Sequence, residues 1–236
     1  MREKDLNIYG TKEDCDKDYD SSYEKSRRRT NWDEPTAELP MKRLFLNQFG
    51  CYLPDGIESQ LKGALEEATP LFKGLREIEL QDLGEKRDAH DAIKKVFDKV
   101  NRKAPNFAEV ATSKFLHMTL PHLMVMVDNA ISDHLIRNGK IGRFCYGEDY
   151  FKVMIYYSNE LNDLISDVEQ NYGITRLEAI AKIRSKDIHA LSSMPRIIDK
   201  HFFWIVHNLG ERKREKEQKL HTKFDNFLKN IEDHQE

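Results

Sequence analysis

The stretch that decides the fold is Ser113-Lys114-Phe115-Leu116-His117-Met118-Thr119-Leu120-Pro121-His122-Leu123-Met124-Val125-Met126-Val127-Asp128-Asn129-Ala130-Ile131. It is apolar over most of its length and is interrupted at fixed points by groups able to do chemistry: Lys114, His117, His122 and Asp128. The residues before it read as a lead-in, and those after it read as helices packed around it.

Working upstream, Ile57, Leu61, Leu65, Ala68 and Leu71 recur at three- and four-residue spacing after Pro54-Asp55-Gly56, which predicts a helix with one apolar face. A loop with Gly74 and Gly84 is expected next. Asp88 then reads as the cap of a helix carrying Ala89, Ile93, Val96, Phe97 and Val100, and Pro105 ends that region. Downstream, Asn138-Gly139 and Ile141-Gly142 mark a loop. Glu148 to Tyr172 is the clearest long helix, striped by Tyr150, Val153, Met154, Tyr157, Leu161, Leu164, Ile165 and Val168, with Gly173 at its stop. Thr175-Arg176-Leu177-Glu178 has the form of a capping box. Met194-Pro195 opens a helix with Ile197, Ile198, Phe202, Ile205 and Leu209, closed by Gly210. No run alternates with a two-residue period over the length of a strand, and no solenoid repeat is present. The expected fold is all-α.

The ends differ in character. Residues 1–38 mix acidic and basic groups, including Arg27-Arg28-Arg29, with hardly any aliphatic content, and are expected to be disordered. Residues 39–210 form one all-helical domain in this reading. Residues 211–236 are charged yet keep Leu220, Phe224, Phe227, Leu228 and Ile231 on one face, as an amphipathic helix would. Translation from Met1 or from Met41 is compatible with this layout.

Composition narrows the function classes. Hydrophobic residues make up 39% and charged residues 33% of the 236-residue chain, and the charged excess sits in the two ends. The net charge of −3 argues against a uniformly basic coat but leaves room for a basic face. The three cysteines, Cys15, Cys51 and Cys145, are far apart and lack CxxC spacing, which points to a reducing cytoplasm. No run approaches the ~18 apolar residues of a membrane span, and no signal-peptide apolar region opens the chain. Phosphate loops, G-x-G-x-x-G, G-x-S-x-G and H-E-x-x-H are all missing, so no cofactor or metal is expected.

Four residues of the central stretch carry the candidate chemistry. Asp128 precedes Asn129, Ala130, Ile131 and Leu135, so it is placed as a helix N-cap. Alternatively, an aspartate held ionised there faces a cleft and stabilises developing positive charge. Lys114 either lays its stem along apolar surface with the ammonium in water, or is desolvated enough to serve as a Schiff-base amine. His117 reads as a core histidine whose ring holds a backbone carbonyl. His122 has no second ligand at metal spacing, and His201 and His207, six apart around Trp204, do not share a chelating face.

Ser113-Lys114-Phe115-Leu116-His117, Pro121-His122-Leu123 and Met126-Val127-Asp128-Asn129-Ala130-Ile131 together resemble the core of the helix-hairpin-helix DNA glycosylase superfamily. The likeness is to the 8-oxoguanine type and to helical relatives of unknown function. It implies a helical hairpin, with Asp128 in the place of the aspartate that assists a Schiff-base lysine. The lysine position itself falls near Glu109 to Ala111, where no lysine stands, and Pro105 to Val110 has no glycine for a phosphate-gripping hairpin. The resemblance therefore implies architecture rather than glycosylase-lyase activity.

Three functions stand as expectations. The first is a non-catalytic, glycosylase-like domain that binds nucleic acid in defence or repair, with phosphate contacts from Lys114 and from Arg137, Lys140 and Arg143 around the exposed glycines of the loop Arg137-Asn138-Gly139-Lys140-Ile141-Gly142-Arg143. The second is an enzyme acting on a base or nucleoside with Asp128 and Lys114 as catalytic residues. The third is an interaction module that assembles with itself or a protein partner through the C-terminal helix.

Overall fold

The computed structural model describes residues 34–48, 50–103, 108–185, 193–203, 205 and 206. Its elements in order are α1 (Leu39–Gln48), α2 (Ile57–Leu75), a 3-10 helix (Leu80–Glu85), α3 (Arg87–Lys103), α4 (Glu109–Thr119), α5 (Asn129–Arg137), α6 (Gly147–Tyr172) and α7 (Arg176–Ser185). Residues 194–203 are also helical, and no strand occurs among the described residues. The fold is all-α, and the helices share one buried apolar cluster.

Local sequence explains the elements. On α2, Ile57, Leu61, Ala64, Leu65, Ala68, Phe72 and Leu75 are buried, which is the spacing of one helical face. That face continues past the expected boundary: Gly74 lies in the last turn of α2 and Gly84 in the 3-10 helix, so neither belongs to an open loop. Burial of Phe72, Leu75, Leu80 and Leu83 keeps the backbone folded there despite two glycines. Asp88 stands in the first turn of α3 instead of capping it, where its charge still meets the positive end of the helix dipole.

The long helix α6 packs against the 3-10 helix, α3 and α7. Its expected stripe is buried from Tyr150 to Val168. At its start the Asp149 carboxylate accepts the N–H groups of Cys145 and Tyr146, each at 3.2 Å. At its end Gly173 adopts φ 62°, the left-handed conformation that glycine takes without a Cβ penalty. The capping box of α7 forms as expected. Thr175 donates its N–H to Glu178 Oε2 at 2.8 Å, and the Glu178 N–H points back to Thr175 Oγ1 at 3.4 Å.

Helices α3 and α6 come unusually close at Gly147. Its N–H donates to Asp98 Oδ1 at 2.8 Å. A Cβ at Gly147 would lie 2.3 Å from the Lys94 carbonyl oxygen, so glycine is required by the approach of two backbones.

The central stretch is not one helix. After α4 the chain turns through Leu120–Leu123, and Met124 to Val127 form a buried, non-helical run that leads into α5. Such a run has no helical ladder to satisfy its polar groups, and burial makes each orphan costly. Side chains from two helices supply the partners. His117 Nδ1 lies 2.7 Å from the Met124 carbonyl oxygen, so the ring holds a backbone carbonyl as expected. The Tyr150 hydroxyl accepts the Val125 N–H at 3.1 Å and donates to the Val125 carbonyl at 2.9 Å. The Ser113 hydroxyl accepts the Val127 N–H and lies within donating distance of its carbonyl, both at 3.1 Å.

Before α1, the Lys42 ammonium donates to the carbonyls of Glu34 (2.6 Å) and Pro35 (3.3 Å). This fastens residues 34–38 to the body as a turn. Residues 1–33 and the tail from residue 207 lie outside the described residues, and with them the amphipathic C-terminal helix. No described helix is long and apolar enough to cross a membrane.

Candidate functional site

Asp128 is the N-cap of α5. Its extended backbone turns the carboxylate over the first turn, where Oδ1 accepts the Ile131 N–H at 2.7 Å. The predicted structural role is thus met. The charge of Asp128 also reaches inward. Burial first, and then the charges of Asp199 and Asp128, push the Tyr157 phenol well above its ordinary pKa. Tyr157 therefore stays protonated at physiological pH. Its hydroxyl is buried and has no hydrogen-bond partner among the described residues.

Lys114 is half-buried on α4. It lies near enough to Cys51 for its ammonium to oppose the burial that pushes the Cys51 thiol up. Lys114 and Asp128 thus act on different neighbours: one on the linker between α1 and α2, the other on α5 and α6. His117 is fully buried and engaged with the Met124 carbonyl. His122 belongs to the turn after α4, where its carbonyl accepts the Leu80 N–H at 3.0 Å and ties the 3-10 helix to the central stretch.

Arg137, Lys140 and Arg143 are all exposed around the α5–α6 connection. Asn138 closes α5 by donating its side-chain amide to the His134 carbonyl at 2.8 Å, and Gly139 turns the chain with φ 65°. The Arg137 side chain is 81% exposed and lies 3.9 Å from Asp133, a separation at which an exposed pair contributes little. The Lys140 ammonium lies 5.0 Å from the ring centre of Tyr156 on α6. The Arg143 guanidinium lies 4.6 Å from the ring centre of Tyr146, with its Nε 3.9 Å from Asp149. Two of the three cations are thus set over tyrosine rings. Burial, and then the charge of Glu160, pushes the Tyr156 phenol up to about 12. A neutral phenol keeps the electron-rich face that attracts the ammonium.

Tyr156 connects this loop to a second group of charges. Its ring is 5.5 Å from Phe202, which stacks on Tyr157 at 4.5 Å, so α6 and the 194–203 helix meet through an aromatic wall. On the 194–203 helix Arg196, Asp199, Lys200 and His201 are all buried, and Arg196 is ion-paired to Asp199. Sequence reasoning considers His201 only as a metal ligand and misses the burial of all four residues. It places Ile197, Ile198 and Phe202 on this helix and assigns nothing to Arg196, Asp199 and Lys200. The signal available is Arg196 and Asp199 at a spacing of three, which puts opposite charges side by side on a helix.

The arrangement offers cations and rings at a surface. Among the described residues, no group of three or more His, Cys, Asp or Glu side chains is placed to hold a metal ion. No protein-family model matches the chain, and neither a curated protein nor a solved structure does.

Proposed function

We propose that this chain is a non-catalytic nucleic-acid-binding protein that grips the phosphate backbone with Arg137, Lys140 and Arg143. The observation that carries the reading is the α5–α6 connection, where Arg137 at the end of α5 and Lys140 and Arg143 on the loop are all exposed and the latter two sit over tyrosine rings. Guanidinium and ammonium groups on an exposed loop reach phosphate at little desolvation cost. The reading keeps the glycosylase-like architecture that the central stretch resembles, without its base-excision chemistry. Asp128 supports this, because its carboxylate is occupied in capping α5.

Fluorescence anisotropy of labelled oligonucleotides across a salt series tests it. Three phosphate contacts give a slope of log K against log salt of about −2 on a single strand and closer to about −3 on a duplex. Removing all three cations by Arg137→Ala, Lys140→Ala and Arg143→Ala is expected to abolish that slope. Salt-independent binding, or no binding, overturns the reading.

A further inference from the structure

The loop also indicates which form of nucleic acid it suits, an inference that rests on the phosphate-binding reading. A duplex is read by an α-helix or a β-ribbon laid in a groove. Here Arg137 ends α5, Lys140 and Arg143 follow on a chain that is non-helical from Asn138 to Tyr146, and no strand occurs among the described residues. What the loop presents instead is a guanidinium over an exposed ring. The Arg143 side chain is 64% exposed and Tyr146, on which it lies, is 42% exposed. Lys140 is exposed over the half-buried ring of Tyr156 on α6.

A paired base hides both of its faces in the stack, whereas an unpaired base offers them. Guanidinium planes and aromatic rings are the protein surfaces on which unpaired bases stack. From this we infer that the ligand is a single-stranded nucleic acid, with one unpaired base stacked on the Arg143–Tyr146 pair while Arg137, Lys140 and the charge of Arg143 hold the flanking phosphates. Asp133 and Asp149, each 3.9 Å from one of the arginines, reduce the net positive field and keep the site short. RNA and DNA share the phosphates and bases this recognition uses.

The test compares full-length protein with labelled single-stranded RNA, single-stranded DNA and a duplex of the same sequence. Single strands of either sugar are expected to bind more tightly than the duplex. Tyr146→Ala should weaken them by about tenfold, while Tyr146→Phe, which keeps the ring, should restore binding. Arg143→Lys should weaken single-strand binding with the salt slope unchanged, because the charge stays and the plane is lost. Duplex binding as tight as single-strand binding, with Tyr146→Ala without effect, overturns this inference and leaves the phosphate-binding reading standing. Loss of salt-dependent binding for every probe overturns both.

Discussion

The hydroxyl of Tyr150 closes on both backbone groups of Val125, accepting its N–H at 3.1 Å and donating to its carbonyl at 2.9 Å. One side chain thereby does for Val125 what a neighbouring strand does in a sheet. Tyr150 is fully buried on α6, and burial above all pushes its phenol far above the ordinary range, so the donating proton is never lost. Tyr150→Phe keeps the ring stack on Phe97 but orphans two buried groups. The expected cost is about 2–4 kcal/mol, measured as a lowered urea midpoint with an unchanged m-value.

Ser113 accepts the Val127 N–H from α4, while its hydroxyl lies nearer the Val110 carbonyl (2.9 Å) than the Val127 carbonyl (3.1 Å). Ser113→Ala is expected to cost about 1–3 kcal/mol, although it removes only one oxygen. Combining it with Tyr150→Phe should give less than the sum of the two losses, since either change already loosens the same run. Strict additivity in a double-mutant cycle would show that the two bonds act independently.

Gly147 permits the close approach of α3 and α6. Gly147→Ala puts a methyl group against the Lys94 backbone, 2.3 Å from its carbonyl oxygen before relaxation. The helices must part or Gly147 must give up its bond to Asp98, at about 1–3 kcal/mol. Calorimetry should show the fall in Tm, and a wild-type Tm would mean that α6 is free to shift.

Asp128 separates a cap from a catalytic group. Asp128→Ala should destabilise the protein by about 1 kcal/mol, and Asp128→Ser should recover most of that. Oligonucleotide binding is expected to stay within error in both variants. A loss of binding in the fully folded Ser variant would place Asp128 in the interface.

Glu178 gives a pH signature. The Thr175 N–H first, and then its hydroxyl, hold the Glu178 carboxyl below its ordinary pKa. A carboxyl depressed in the folded state stabilises that state above its unfolded pKa. The contribution is lost as pH falls through the folded value, below the ordinary carboxylate range. Glu178→Gln should therefore fray α7 at neutral pH, and wild type and variant should converge in acid. Hydrogen exchange at the Thr175 amide across a pH series measures this.

Much of the fold is legible because it is encoded locally. The α6 stripe, the Gly173 stop and the Thr175–Glu178 box each need only a few neighbouring residues, and all form as expected. Asp128 is legible as a cap for the same reason. The form of the run Met124 to Val127 is not, because four apolar residues fit a helix, a strand or an irregular segment equally well. Its partners Ser113 and Tyr150 are 14 and 25 residues away, beyond any local pattern. The loop cations are visible in the sequence, whereas the rings beneath them depend on how the loop folds against α6. The buried charges of the 194–203 helix are hidden because an Arg-Asp pair on a helix reads as a solvated face until its surroundings are known.

The way Val125 and Val127 are held has a kinetic consequence. Their N–H groups end on hydroxyls carried by two different helices, and water reaches these amides only when α4 or α6 moves away. Ser113 lies in the middle of α4, and Tyr150 lies in the first turn of α6, which the Gly147 bond to Asp98 anchors, so both amides should exchange with deuterium only through opening of the domain. These two valines would then report the global unfolding free energy, even though neither belongs to a helix.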